Sequence, residues 1–197
     1  MLLSSLAMRG SPGTLVEIAT QALLASPTAS LAEVAAAAGV SRTTLHRLYP
    51  TRQALLVAVA TEAVDRVERA YANAGLSVPG EEAEAALRRL LTALIPLGPQ
   101  LEFIHRERGL DEEHALHARF DTLDDLVIDL VKRGQQARVL RSGLAAWWIV
   151  SSLNGAVYGA WESIELGRLA PRDAPGLVLS TLLDGIRTGP ADRPAPA

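Results

Sequence analysis

Cysteine is absent from the chain. That excludes disulfides, thiolate nucleophiles and thiolate zinc sites, and it is compatible with a reducing cytoplasm, where the protein is expected to act. Aromatic residues make up only 4%. Strands draw on β-branched and aromatic side chains, so a sheet-built fold is disfavoured. No apolar run approaches the ~18 residues of a membrane-spanning helix, and no membrane partner is expected. The opening MLLSSLAMRG has no basic leader region and no A-x-A-like cleavage site, so it is not read as a signal peptide. Met8 is an alternative initiator, and residues 1–13 are expected to form a disordered arm. Catalytic signatures are missing too: there is no G-x-S-x-G, P-loop, G-x-G-x-x-G or H-E-x-x-H motif. No enzyme, no catalytic residue and no cofactor is expected.

What is present is helical material. The 197 residues are 49% hydrophobic, which is enough for a sizeable core, and Ala and Leu, both strong helix formers, dominate. The net charge of −3 is unevenly spread. Residues 1–55 carry four arginines against two glutamates, +2, which leaves −5 for the rest. The chain as a whole is not a basic nucleic-acid binder of pI above ~9. Its acidic body would discourage DNA everywhere except the N-terminal quarter.

Apolar spacing of i, i+3, i+4, i+7 at Leu15, Ile18, Ala19 and Ala22 predicts a helix over 14–25, ended by Ser26-Pro27. Ser30-Leu-Ala-Glu33 is a capping box opening a second helix, with an apolar stripe at Leu31, Val34, Ala35 and Ala38 and a stop at Gly39. Ser41 can cap a third, short helix that stops at Pro50. Thr51 can cap a fourth, running to about Tyr71. A loop is expected over 73–80. Helices follow over 81–95, 100–108, 111–136, 142–165 and 174–187, and the Pro-rich tail 188–197 is expected to be disordered. The expected fold is all-α with about nine helices. A three-helix helix-turn-helix domain (1–55) precedes a larger helical domain (56–187).

The third helix carries the chemistry. At ~100° per residue, Leu45, Leu48 and Tyr49 share one arc, and Arg42, Thr43, Thr44, His46 and Arg47 take the other. A helix this short needs neighbours to hold it. The first two helices offer an apolar bed, and two short helices about a Gly turn make a helix-turn-helix. Arg can bridge guanine O6 and N7, and Thr can reach phosphates, bases or a thymine methyl. Arg52, at the start of the fourth helix, can address a phosphate. The plain alternative is a solvated polar face.

The run Ser30-Leu31-x-x-Val34-Ala35-x-x-Ala38-Gly39-Val40-Ser41, then Thr43-Thr44-Leu45-x-x-Leu48-Tyr49, then Pro50-Thr51-Arg52-x-Ala54-Leu55-Leu56, resembles the DNA-binding domain of TetR-family transcriptional regulators. The motif covers about a quarter of the chain. The resemblance implies that Ser41, Arg42, Thr43, Thr44, His46 and Arg47 face a double-stranded operator. It places Arg52 where the family usually has a phosphate-binding Lys. His46 stands for the usual Tyr and Tyr49 for the usual Phe. The family further implies a homodimer, a small-molecule effector and a palindromic operator, with repression as the expected sign. A helix-turn-helix architectural protein without effector is the alternative.

The body is less explicit. Ser151, Gly155 and Gly159 recur every four residues, a smooth stripe for close packing inside one subunit or, as the resemblance favours, against a second. Val178 and Leu182, on an apolar final helix, are the other expected interface residues. Candidate ligand contacts are Phe103, His117, Phe120, Trp148 and Asn154, suiting a small, partly hydrophobic molecule. Asn154 is equally a local hydrogen-bonding residue. Leu116, Phe120, Leu123, Val127 and Leu130 read as a core stripe rather than a cofactor box. Trp147 and Trp148, ~100° apart, cannot both face inward. His105, His114 and His117 stand near acidic residues, which is also how a solvated acidic face looks, and no metal is expected.

Overall fold

The computed structural model describes residues 12–77 and 82–186. Most of the expected arm, part of the 73–80 loop and the expected tail lie outside the described residues. Among those described, nine α-helices and two 3-10 turns occur, with no β-strand. The helices are α1 (Pro12–Ala25), α2 (Leu31–Ala37), α3 (Arg42–Leu48), α4 (Arg52–Ala74), α5 (Ala83–Leu94), α6 (Gly98–Arg106), α7 (His114–Gln136), α8 (Ala146–Glu165) and α9 (Ala174–Ile186). Helix α1 starts at Pro12, where a Pro without an N–H suits a first turn, so residues 12 and 13 of the expected arm are helical. Helix α8 starts at Ala146 rather than Ser142. The Gln135 side chain donates to the carbonyls of Arg141 and Leu144, both at 2.8 Å, and holds that stretch as a turn.

The chain forms two compact units. The first gathers the described residues up to Arg66 together with Pro99–His117, and the second gathers Val67–Gly98 with the residues from Ala118 onward. This differs from the linear division expected at 55/56. The reason is visible inside the first unit. Gln53 Nε2 donates to the Gly109 carbonyl at 2.8 Å and to Glu113 Oε1 at 3.2 Å, so the segment around Gly109 belongs with the start of α4.

In the first unit Leu15, Ala19 and Leu23 of α1, Val34 and Ala35 of α2, Leu45 of α3 and Leu55, Leu56 and Val59 of α4 are buried. Small Ala side chains on α2 let its neighbours approach, and both α1 and α3 pack on it. In the second unit α9 packs on α5 and α8. Leu87, Leu90, Leu91 and Leu94 are buried on α5, Ile149, Leu153 and Val157 on α8, and Leu179 and Leu183 on α9. Leu116, Leu123, Val127 and Leu130 are buried and Phe120 is half-buried, so the stripe of α7 is core. At Gly98 a Cβ would lie 1.9 Å from Trp161 Cγ, so only glycine admits the indole there. Helix α4 ends at Gly75, whose φ of +68° favours glycine. Arginines take the carbonyls here: Arg89 donates twice to the last oxygen of the helix, that of Ala74, at 3.0 and 2.7 Å, and Arg133 donates to the Leu76 oxygen in the turn that follows.

Candidate nucleic-acid interface

The α2–turn–α3 element is built from its caps outward. Ser30 Oγ accepts from the Glu33 N–H at 3.3 Å, and Glu33 Oε2 accepts from the Ser30 N–H at 2.7 Å. The expected capping box is formed. These bonds to Ser30 hold the Glu33 carboxyl below its ordinary value. The turn passes through Gly39 at φ +66°, the left-handed cap expected there. Ser41 Oγ accepts the Thr44 N–H at 3.0 Å and lies 2.8 Å from the Thr44 hydroxyl. Two of the expected DNA-facing residues, Ser41 and Thr44, thus satisfy each other. Thr51 caps α4 by accepting the Ala54 N–H at 3.0 Å.

Helix α3 is held by Leu45, which is fully buried. Arg42, Thr43, His46 and Arg47 are exposed, and Thr44 is half-buried. The expected apolar arc is narrower than its three residues. Tyr49 is half-buried, with burial pushing its phenol up. Leu48 is not packed: it is 46% exposed. A seven-residue helix lying across α2 is covered along a single line, and Leu48 falls beyond its edge.

Arg52 makes contacts inside the first unit. Its Nη2 donates to the Pro27 carbonyl and lies 3.5 Å from Glu107 Oε2. The guanidinium ties the α1–α2 connection to the start of α4, and Glu107 in turn accepts the Gly109 N–H at 3.0 Å. Arg52 is a structural cation here, engaged before any phosphate arrives. Arg42, His46 and Arg47 have no hydrogen-bonding or ionic partner among the described residues. They are three donors held out from a fixed helix.

The candidate ligand residues do not converge within either unit. Phe103 is buried and His117 exposed in the first unit. Phe120 is half-buried in the second, where Trp148 is 55% exposed. Trp147 is 62% exposed, and the two indoles meet edge to face at 6.0 Å, so both, rather than one, are left outside. Asn154 Nδ2 reaches Asp124 Oδ1 at 3.5 Å. Burial pushes the Asp124 carboxyl up, the Asn154 contact pulls it down, and Asp121 and Asp125 push it up further. Tyr71 is buried, and burial with the Asp124 charge pushes its phenol up. Trp161 meets Tyr158 at 5.5 Å, and its buried indole N–H has no partner among the described residues. Tyr71 and Asp124 carried no motif, and helix periodicity alone made them ordinary.

Of the expected interface residues, Ser151 and Gly155 are exposed and Gly159 is half-buried. A Cβ at either glycine would meet nothing within 4 Å among the described residues. Val178 is 6% exposed and faces the core of its own unit, and Leu177, one position or ~100° away, is 53% exposed. Leu182 is half-buried. Among the described residues no three His, Asp or Glu side chains are grouped to hold a metal. His114 Nδ1 instead lies 2.8 Å from the Glu112 carbonyl. No described helix is long and apolar enough to cross a membrane.

No family model matches the chain. It is 35% identical over 128 residues to the HTH-type transcriptional repressor LfrR of Mycolicibacterium smegmatis. That match spans 63% of this chain and 65% of the relative, less than two thirds of its length. The structure of the TetR-like transcriptional regulator LfrR from Mycobacterium smegmatis in complex with proflavine superposes with a TM-score of 0.70 at 29% identity, covering 89% of this chain and 96% of that one. The ketosteroid transcriptional regulator KstR2 of Mycobacterium tuberculosis shares the fold, at a TM-score of 0.75 and 16% identity over 90% of this chain and 95% of that one.

Proposed function

We propose, from the premise that the chain belongs to the TetR family of regulators, that it is a cytoplasmic repressor. It binds a palindromic operator as a homodimer and releases it when a small ligand binds. No catalysis is part of this reading. The observation that carries it is the outer face of α3. Arg42, Thr43, His46 and Arg47 are exposed on a helix fixed by Leu45 and the Ser41 cap, and the three cationic or imidazole groups have no internal partner. Arg supplies bidentate readout of guanine, and Thr supplies phosphate or base contacts.

Two copies are needed because one seven-residue helix reads too few base pairs for a unique site. A two-fold dimer sets two such helices about one DNA turn, ~34 Å, apart. The stripe of Ser151, Gly155 and Gly159 on α8, where a Cβ at either glycine would meet nothing within 4 Å among the described residues, is the surface on which the second copy packs. The relative was crystallised with proflavine, a planar aromatic cation, which makes that dye the first effector to try. Ligand binding can release DNA only through differential affinity for two conformations.

The test is selection of bound sequences from random duplex DNA by the purified protein. A palindrome is expected, and a selected pool with no shared motif would end the operator reading. Replacing Gly155 and Gly159 by Leu is expected to give folded monomers in sedimentation. Intact dimers would remove α8 from the interface. Proflavine is expected to raise the melting temperature saturably and to dissociate the selected duplex.

A further inference from the structure

Leu48 is the odd member of the exposed face of α3. The helix projects Arg42, Thr43, His46 and Arg47 into solvent, yet leaves 46% of a leucine beside them. Around the helix, at ~100° per residue, the uncovered positions run from Arg42 through His46, Thr43 and Arg47 to Thr44 and Leu48. Leu48 closes that arc at one edge. Lone exposed leucines are common on protein surfaces and need no explanation by themselves. This one lies on the element that meets the duplex in the reading above, and the inference rests on that reading.

The geometry limits what it can touch. Seven helical residues span only about 10 Å, comparable to the ~12 Å width of the major groove, so the last turn of α3 stays within the groove that receives its first turn. Base edges there offer hydrogen-bonding groups almost everywhere. The one apolar group they present is the C5-methyl of thymine. A leucine set among donors gains nothing from the rest of the edge, and covering it with a methyl removes apolar surface from water on both sides. Tyr49 leaves the helix with extended φ and ψ of −132° and 91°, and Pro50 follows, so the chain turns away after Leu48 and does not shield it.

We propose that Leu48 is a specificity-determining residue that recognises a T·A pair in each half-site through the thymine methyl. The probe is the palindromic duplex obtained from the random pool, together with copies in which each thymine of the half-site is replaced in turn by deoxyuridine. That replacement removes the methyl and leaves the hydrogen-bonding edge unchanged. At one position the wild type is expected to lose about four-fold in affinity per half-site, the value of about one buried methyl-sized group. Leu48→Ala is expected to lose affinity for the thymine duplex and to bind the deoxyuridine copy no worse than the thymine one. Leu48→Met is expected to keep the preference. Both variants should melt with the wild type, since the side chain is outside the core. Equal weakening of Leu48→Ala on thymine and deoxyuridine duplexes would assign Leu48 to the sugar wall and overturn the inference, while the operator reading would stand. A wild type indifferent to deoxyuridine at every position would overturn it as well. If no duplex is selected at all, the operator reading falls and this inference falls with it.

Discussion

On α3 the side chains left in solvent are Arg42, Thr43, His46, Arg47 and the lone apolar Leu48; on α8 they are Trp147, Trp148, Ser151, Asn154, Gly155 and Tyr158, with Glu162 and Glu165 only at its C-terminal end. Both helices have one buried line, Leu45 in the first case and Ile149, Leu153 and Val157 in the second. Their outer faces ask for different partners. The first presents charge and donors that only an anionic, acceptor-rich surface can satisfy. The second presents indole, phenol and bare backbone, which gain most from a dry, closely fitted surface. Exposure by itself distinguishes neither. What each face leaves unsatisfied does.

The largest expected effect contrasts two glycines of the second unit. Gly98→Ala would drive a Cβ into Trp161, with 1.9 Å to Cγ, and is expected to cost about 1–3 kcal/mol or more as overpacking. Gly155→Ala meets nothing within 4 Å and is expected to gain up to about 1 kcal/mol of helix propensity. Thermal denaturation reads both. Equal losses would mean that the outer face of α8 is packed within the subunit after all.

Next come two arginines of the first unit. Arg42→Ala is expected to cost about 1–3 kcal/mol of operator affinity with an unchanged melting temperature. Arg52→Ala should do the opposite. It removes a donor from the Pro27 carbonyl and a weak pair with Glu107, at a stability cost of about 1 kcal/mol because the side chain is 38% exposed and screened. The salt dependence of DNA binding should then change little. A slope flattened by about one unit in Arg52→Ala would return that residue to a phosphate.

The smallest effect separates the two caps. Glu33 has its pKa depressed by its bonds to Ser30. Its contribution is therefore present above its unfolded value near 4.5 and is lost as pH falls through its lower folded value. The stability gap between wild type and Ser30→Ala should narrow at acid pH. The Ser41 cap faces Thr44 and no carboxylate, so the Ser41→Ala gap should stay constant over the same range.

Most of the helices were legible because apolar period, caps and Gly-Pro punctuation agree with one another. The Ser30 box, the Ser41 and Thr51 caps and the Gly39 turn are local devices, decided within a few residues. What escaped depends on distance along the chain. Arg52 is bound to Pro27 and Glu107, 25 and 55 residues away, and no spacing rule anticipates that. A helical wheel gives the direction of Leu48 and Val178 but not the width of the surface covering each helix. Leu48 consequently came out more exposed and Val178 more buried than periodicity implied. The need for glycine at position 98 comes from the indole of Trp161, far along the chain, and no local rule reaches it.

The chain has three tryptophans, and they fall into two optical populations. Trp147 and Trp148 stand in water, whereas Trp161 presses its ring on the Gly98 backbone with its N–H shut away. In a separated subunit red-shifted, quencher-sensitive emission should come from the first two, and blue-shifted, protected emission from the third. The protein thus carries its own spectroscopic gauge, able to separate a change at the outside of α8 from loosening of the interior without any added label.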